Sequence, residues 1–186
     1  VEVDGSAFHI DWCFRNILRI LRMLEDDEVA ESHRPALLLK WFYRDGAPQD
    51  VEAAINAFMW FLHRGDVPSG ELSGEPPVFD HEQDAVEVYS SFVALYGIDL
   101  FESNMHWWQF CALLDGAMTS DTSLSAKIRL RMKDASKCDE PEKVRKAQDA
   151  IRIENRYTRA EREMKDKLYA VLTGGGDVSA ALEAFG

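Results

Sequence analysis

NMHWWQFCALLDGA, residues 104–117, is the stretch on which the fold turns. Met105, Trp107, Trp108, Phe110, Cys111, Ala112, Leu113 and Leu114 leave it few polar positions, and a helix that is apolar almost all round is a central core helix. Ser103-Asn104 offers a cap-like start, and Gly116 a stop. Trp107 and Trp108 diverge by about 100° on such a helix. They are therefore expected to pack against two different neighbours rather than form one stacking platform. A metal or cofactor pocket would need several ligands at matching spacing, and His106 and Cys111, five residues apart, fall on different faces. His106 is read as a first-turn histidine donating to a carboxylate or carbonyl.

The sequence on either side supplies the elements that such a core helix needs. At 1–10, Asp4-Gly5 between short β-prone runs predicts a small hairpin. Helical spacing of apolar residues predicts helices at 11–25, 34–44 and 49–64. Residues 65–78, GDVPSGELSGEPPV, have breakers and no periodicity, and read as a mobile loop. The helix that follows has Asp80 and Gln83 as a capping pair. Its expected buried stripe is Ala85, Val88, Tyr89, Phe92, Val93 and Tyr96, and its expected end is a left-handed residue at Gly97, followed by Ile98. A shorter basic helix is expected at 121–135. Pro141 opens a highly charged helix expected to reach Leu172, with Ile151, Tyr157, Met164 and Leu168 on a narrow apolar seam suited to a single partner. GGGD at 174–177 breaks it.

The expected fold is mainly α. It is a helical domain of about six to seven helices with a small N-terminal β-hairpin and a long charged C-terminal helix. Residues 1–137 form the core, 138–173 the charged helix as a possible arm, and 174–186 a flexible tail.

Composition narrows the function. The 186 residues carry a net charge of −12, which opposes general nucleic-acid affinity. The charge is segregated. Residues 1–126 hold 7 basic and 22 acidic side chains, whereas 127–167 hold 14 basic and 9 acidic. This polarity predicts charge-complementary contacts within or between copies. Cys13, Cys111 and Cys138 are an odd set without a CxxC, and read as free thiols of a reducing compartment. No 18-residue apolar run predicts a membrane helix. VEVDGSAFHI has no signal-peptide pattern, and its start without methionine reads as a trimmed or mature chain.

No catalytic motif is found. GxSxG, HExxH, a phosphate-binding loop and a dinucleotide fingerprint are all missing. Asp80, Glu82 and Asp84 in DHEQD could serve a metal-dependent hydrolase, but acids also collect in first helical turns as caps. The basic stretch from 127 to 165 could touch DNA, yet acids interleave throughout it. The expectation is a protein that is not an enzyme and uses no cofactor or metal.

The stretch 79–132 carries FDxExDAxxxYxxFxxxYGIDL and then HWWxFxALLxG. It resembles the bacteriophage "gene product fifteen" family of tailed-phage proteins. Asp84, Tyr96, Gly97, Asp99, His106, Trp107, Trp108 and Phe110 mark the resemblance. FRNILRILRML, ALLLKWFY and KDKLYAV extend it over about 8–172, while the charged helix at 141–165 and the GGGD tail are longer than the family pattern. The resemblance implies a gene beside the tape measure and the role of a tail assembly chaperone. Such a protein binds the tape-measure protein, keeps it soluble, and leaves as tail-tube subunits polymerise. It implies the cytoplasm of the infected host as location, absence from the mature virion, and possible contact with tail-tube subunits. Self-association is expected, a membrane is not, and nucleic acid is disfavoured. The alternatives are a minor tail or connector protein retained in the virion, and a DNA-binding regulator using 127–165.

Overall fold

The hairpin forms around Asp4 and Gly5, both at positive φ (50° and 74°). That pairing suits a two-residue turn of the twist that antiparallel strands favour. It joins β1 (Glu2–Val3) to β2 (Ser6–Ala7), with Val3 opposite Ser6 and Glu2 opposite Ala7. The computed structural model describes residues 1–26, 28–66 and 77–153. Among these are seven α-helices: α1 (Phe14–Leu24), α2 (Arg34–Phe42), α3 (Val51–Leu62), α4 (Ala85–Tyr96), α5 (Trp107–Thr119), α6 (Ser123–Met132) and α7 (Pro141–Ala150). The chain is mainly α, as its periodicity predicts, and no helix among the described residues is long and apolar enough to cross a membrane.

The chain divides into two compact units. The first comprises the described part of 1–73 together with His106–Trp108. Here α1 packs on α2, and α3 packs on α2 and β1. Phe14, Ile17, Ile20, Phe42, Ile55 and Phe58 are buried between them. The Phe42 ring lies 5.0 Å from that of Phe58, edge to face, a geometry aromatic pairs prefer. Asp50 caps α3 by accepting from the Ala53 amide at 3.0 Å. Tyr43 donates to the Ala54 carbonyl at 2.9 Å, and burial pushes its hydroxyl pKa up to about 12.

The second unit comprises the described part of 74–105 and 109–156. In it α4 packs on α6, and α6 on α7. The Phe92 and Phe110 rings stack at 5.4 Å and join α4 to α5. Thr122 and Ser125 form the capping box of α6. The Gln148 amide of α7 donates to the Leu130 and Lys133 carbonyls at 2.9 and 2.7 Å, satisfying acceptors that the end of α6 leaves open.

Three expectations are corrected here. The helix expected from 141 to 172 stops at Ala150. Ile151 is its cap, with φ −117°, and 152–153 are not helical; residues 154–172 lie outside the described ones. Gly116 does not end α5, which runs on to Thr119. Gly97 does adopt the left-handed conformation, with φ 63°, but Ala85 and Val93 of the expected α4 stripe are exposed.

Gly116 sits inside α5 because of Tyr96. The Tyr96 hydroxyl donates to the Leu113 carbonyl at 2.9 Å, and a Cβ added at 116 would lie 2.5 Å from that hydroxyl oxygen. Gly116→Ala is therefore expected to destabilise the protein, by about 1–3 kcal/mol as overpacking does, although alanine is the better helix former. Removing the hydroxyl should restore much of the loss. A double-mutant cycle with Tyr96→Phe, read by urea melts, should be clearly non-additive.

Candidate functional site

Asp84 ends the turn before α4 and is 0% exposed. A carboxylate so buried survives only if it is paired and hydrogen-bonded. Arg131 of α6 grips it with both ends of its guanidinium fork: Nη1 to Oδ2 at 2.6 Å and Nη2 to Oδ1 at 2.8 Å. Lys127, one turn earlier on the same face, bonds Oδ1 at 2.8 Å and Glu87 at 3.0 Å. The Asp80 amide adds a bond to Oδ2 at 3.0 Å. Burial pushes the Asp84 carboxyl upward, but the Arg131, Lys127 and Asp80 hydrogen bonds with the Arg131 charge outweigh it and hold the pKa below the ordinary carboxylate value. Burial likewise lowers the Lys127 pKa, and its two carboxylate partners more than reverse that, leaving it raised.

Arg131 does more than neutralise Asp84. Nε donates to the Ile151 carbonyl at 2.8 Å and Nη1 to the Val78 carbonyl at 2.9 Å. One side chain thus ties together the approach to α4, α6 and the end of α7. Beside it opens a cleft of about 490 Å³ lined by Gln83, Glu87, Ser123, Lys127, Leu130 and Ile151 among others. Of the three cations in its wall, Lys127, Arg131 and Arg152, the first two are committed to carboxylates.

This arrangement accounts for DHEQD. Asp80 accepts from the Glu82 and Gln83 amides at 2.9 and 2.7 Å, but it closes the turn at 81–84 and does not cap α4 as expected, because α4 starts at Ala85 with Asp84 as its N-cap. Asp84 is saturated by cations, and no group of three metal-ligating side chains converges among the described residues.

The tryptophan pair behaves differently from the expectation. The Trp107 and Trp108 indole N–H groups donate to the carbonyls of Leu62 and Phe61, at 2.9 and 2.8 Å. Both therefore dock on the same neighbour, the C-terminal end of α3. That end closes with Arg64 and Gly65 left-handed (φ 62° and 85°), the Gly65 amide reaching the Trp60 carbonyl and the Arg64 amide that of Phe61, as in a Schellman ending. His106 accepts from the Trp108 amide at 3.1 Å and so caps the start of α5, which begins at Trp107 rather than at Ser103-Asn104. It accepts at Nδ1 where donation was expected. Burial lowers its pKa, which favours the neutral ring that can accept. Trp107 is buried, and Trp108 and His106 are half-buried.

The residues predicted to bind a partner are only partly placed. Ile151 is half-buried, its carbonyl held by Arg131; Tyr157, Met164 and Leu168 lie outside the described residues. Among the markers, Phe110 is core, Tyr96 bonds α5, Gly97 ends α4, and Asp99 accepts from the Phe101 amide at 2.8 Å. An apolar surface that the sequence reading missed lies on α4. Val86 is 76% and Val93 43% exposed, and Phe101, 82% exposed, lays its ring 5.2 Å from that of Tyr89. Val86, Tyr89 and Val93 recur at i, i+3 and i+7, one outward line of a helix. Such a line, outside the core, is the kind of surface that marks a partner site.

A family model described as Bacteriophage Gp15 protein matches residues 1–158. No curated protein and no solved structure matches the chain.

Proposed function

The chain belongs to the bacteriophage Gp15 protein family, and from that premise we propose that it is a tail assembly chaperone, which holds the tape-measure protein soluble until the tail tube polymerises. The observation that carries the reading is the apolar line of exposed Val86, half-buried Tyr89 and exposed Val93, with exposed Phe101, on a chain of net charge −12. A long helical client exposes apolar faces that aggregate. A helper needs an apolar face to cover them, in the manner of helix–helix docking, and charge to keep the complex dissolved. The role is one of binding, without a catalytic step, cofactor or metal, carried out in the host cytoplasm and ending before the virion is complete. Tail-tube subunits and further copies of the chain are the other partners of this reading.

The basic segment supports a DNA-binding alternative less well. Lys137, Lys143 and Arg145 each sit within 3.1 Å of a carboxylate three residues away, and Lys127 and Arg131 hold Asp84. Co-expression with the tape-measure gene is the direct test. The tape measure should move into the soluble fraction and co-purify with this chain. If it stays insoluble and nothing co-purifies, the chaperone reading fails. Finding the chain in purified particles by mass spectrometry would favour a retained tail or connector component.

A further inference from the structure

We infer that the outer face of α4 is a docking site for an amphipathic helix whose apolar stripe is bordered by lysine or arginine. The inference rests on the chaperone reading and names the chemistry of the client segment. Two observations carry it. The first is the apolar line itself. Val86 and Val93, with Tyr89 between them, lie seven positions apart, about 10 Å of helix, and Phe101 extends the surface beside Tyr89. Ala94, small and exposed, adjoins the line and lets a second helix approach closely.

The second is charge. No lysine or arginine occurs between Arg64 and Lys127. Exposed Glu82 precedes the line, and exposed Asp99 and Glu102 flank Phe101. Two cations of α6, Lys127 and Arg131, are engaged with Asp84 on the inner side of α4. Among the described residues, the charged groups next to the apolar line in sequence, Glu82, Asp99 and Glu102, are all carboxylates. An acidic helix would meet like charge at both ends, whereas a cationic border would pair with it, and such complementarity sets specificity and approach rate.

The test uses the full chain and two labelled 18-residue amphipathic peptides, each with a leucine stripe, one bordered by lysines and the other by glutamates. Fluorescence anisotropy should show the lysine peptide binding at least tenfold more tightly. Val86→Asp with Phe101→Ala should weaken it at least tenfold while the variant keeps a cooperative thermal melt, since both side chains are mostly exposed. The added aspartate makes this diagnostic, because general attraction to an acidic protein would strengthen. Glu82→Lys with Glu102→Lys should shift the preference toward the glutamate peptide. Equal binding of both peptides, or full binding by the Val86/Phe101 variant, overturns the inference. A wild-type dimer that Val86→Asp converts to a monomer also overturns it, by assigning the face to a second copy. The chaperone reading is judged separately. If the Val86/Phe101 variant still solubilises the tape measure, this face is wrong and the chaperone role stands. If wild type binds the lysine peptide yet leaves the tape measure insoluble, the chaperone role fails.

Discussion

In a Trp107→Ala variant the free energy of unfolding falls by about 3–5 kcal/mol, the range for truncating a large buried aromatic. Trp107 is 4% exposed and its indole N–H fills the Leu62 carbonyl. Alanine removes both the packed volume and the donor, and the Leu62 carbonyl at the end of α3 loses that partner. Trp107→Phe largely separates the two losses: it keeps most of the apolar volume and removes the N–H with a small part of the ring system, for an expected cost of about 1–2 kcal/mol. Urea denaturation followed by circular dichroism reads both. A Trp107→Ala midpoint equal to that of wild type would show that the residue is no keystone of its unit. If that variant folds normally but loses a partner that the wild type binds, the tryptophan belongs to a partner surface.

Arg131→Ala should cost about 3 kcal/mol, the lower end of what breaking a buried ion pair costs, because Lys127 remains on Asp84. The variant also frees the Val78 and Ile151 carbonyls. Arg131→Lys keeps the charge but has no fork with which to span Asp84 and both carbonyls, so its loss should be intermediate. The pH dependence has a fixed sign. The folded pKa of Asp84 is depressed below the ordinary aspartate value of 3.8. Its contribution is therefore complete above that value, and is lost as pH falls from there through the folded pKa. The stability gap between wild type and Arg131→Ala should accordingly be widest near neutrality and shrink in acid. Lys127 has the opposite sense: its folded pKa is raised above 10.5, so its share is present below that value and disappears as pH rises through the folded one. A gap that stays constant from pH 7 to pH 3 would rule out Asp84 as the partner that matters.

Local chemistry made much of this fold readable. Asp4-Gly5 announced the hairpin, and apolar periodicity announced the helices, because turn type and a buried face are encoded within a few residues. The inner face of α4 was not readable in that way. Two of its buried positions, Asp84 and Ser91, are polar, so a search for apolar spacing rotated the stripe toward Ala85 and Val93 and turned the outward line inward. The partner that makes Asp84 buriable, Arg131, lies 47 residues away, beyond the reach of any local pattern. The same holds for the end of α7: its charged sequence has no breaker at 150, while Arg131 takes the Ile151 carbonyl there. For the tryptophans the angular argument was sound and its conclusion was not. Adjacent carbonyls of α3 are also offset by about 100° around their own helix, so two diverging indoles could meet two separate acceptors on one neighbour.

All five tryptophans, at 12, 41, 60, 107 and 108, fall in the first unit, and the second has none. The gathering of Trp60, Trp107 and Trp108 at the end of α3 is the densest part of that distribution. Intrinsic tryptophan emission is thus a local reporter, blind to α6, α7 and the Asp84 cluster, whereas the far-ultraviolet dichroic signal sums the helices of both units. Recorded on one sample, the two signals turn an ordinary melt into a test of cooperativity: coincident midpoints mean that the units unfold together, and separated ones assign a stability to each.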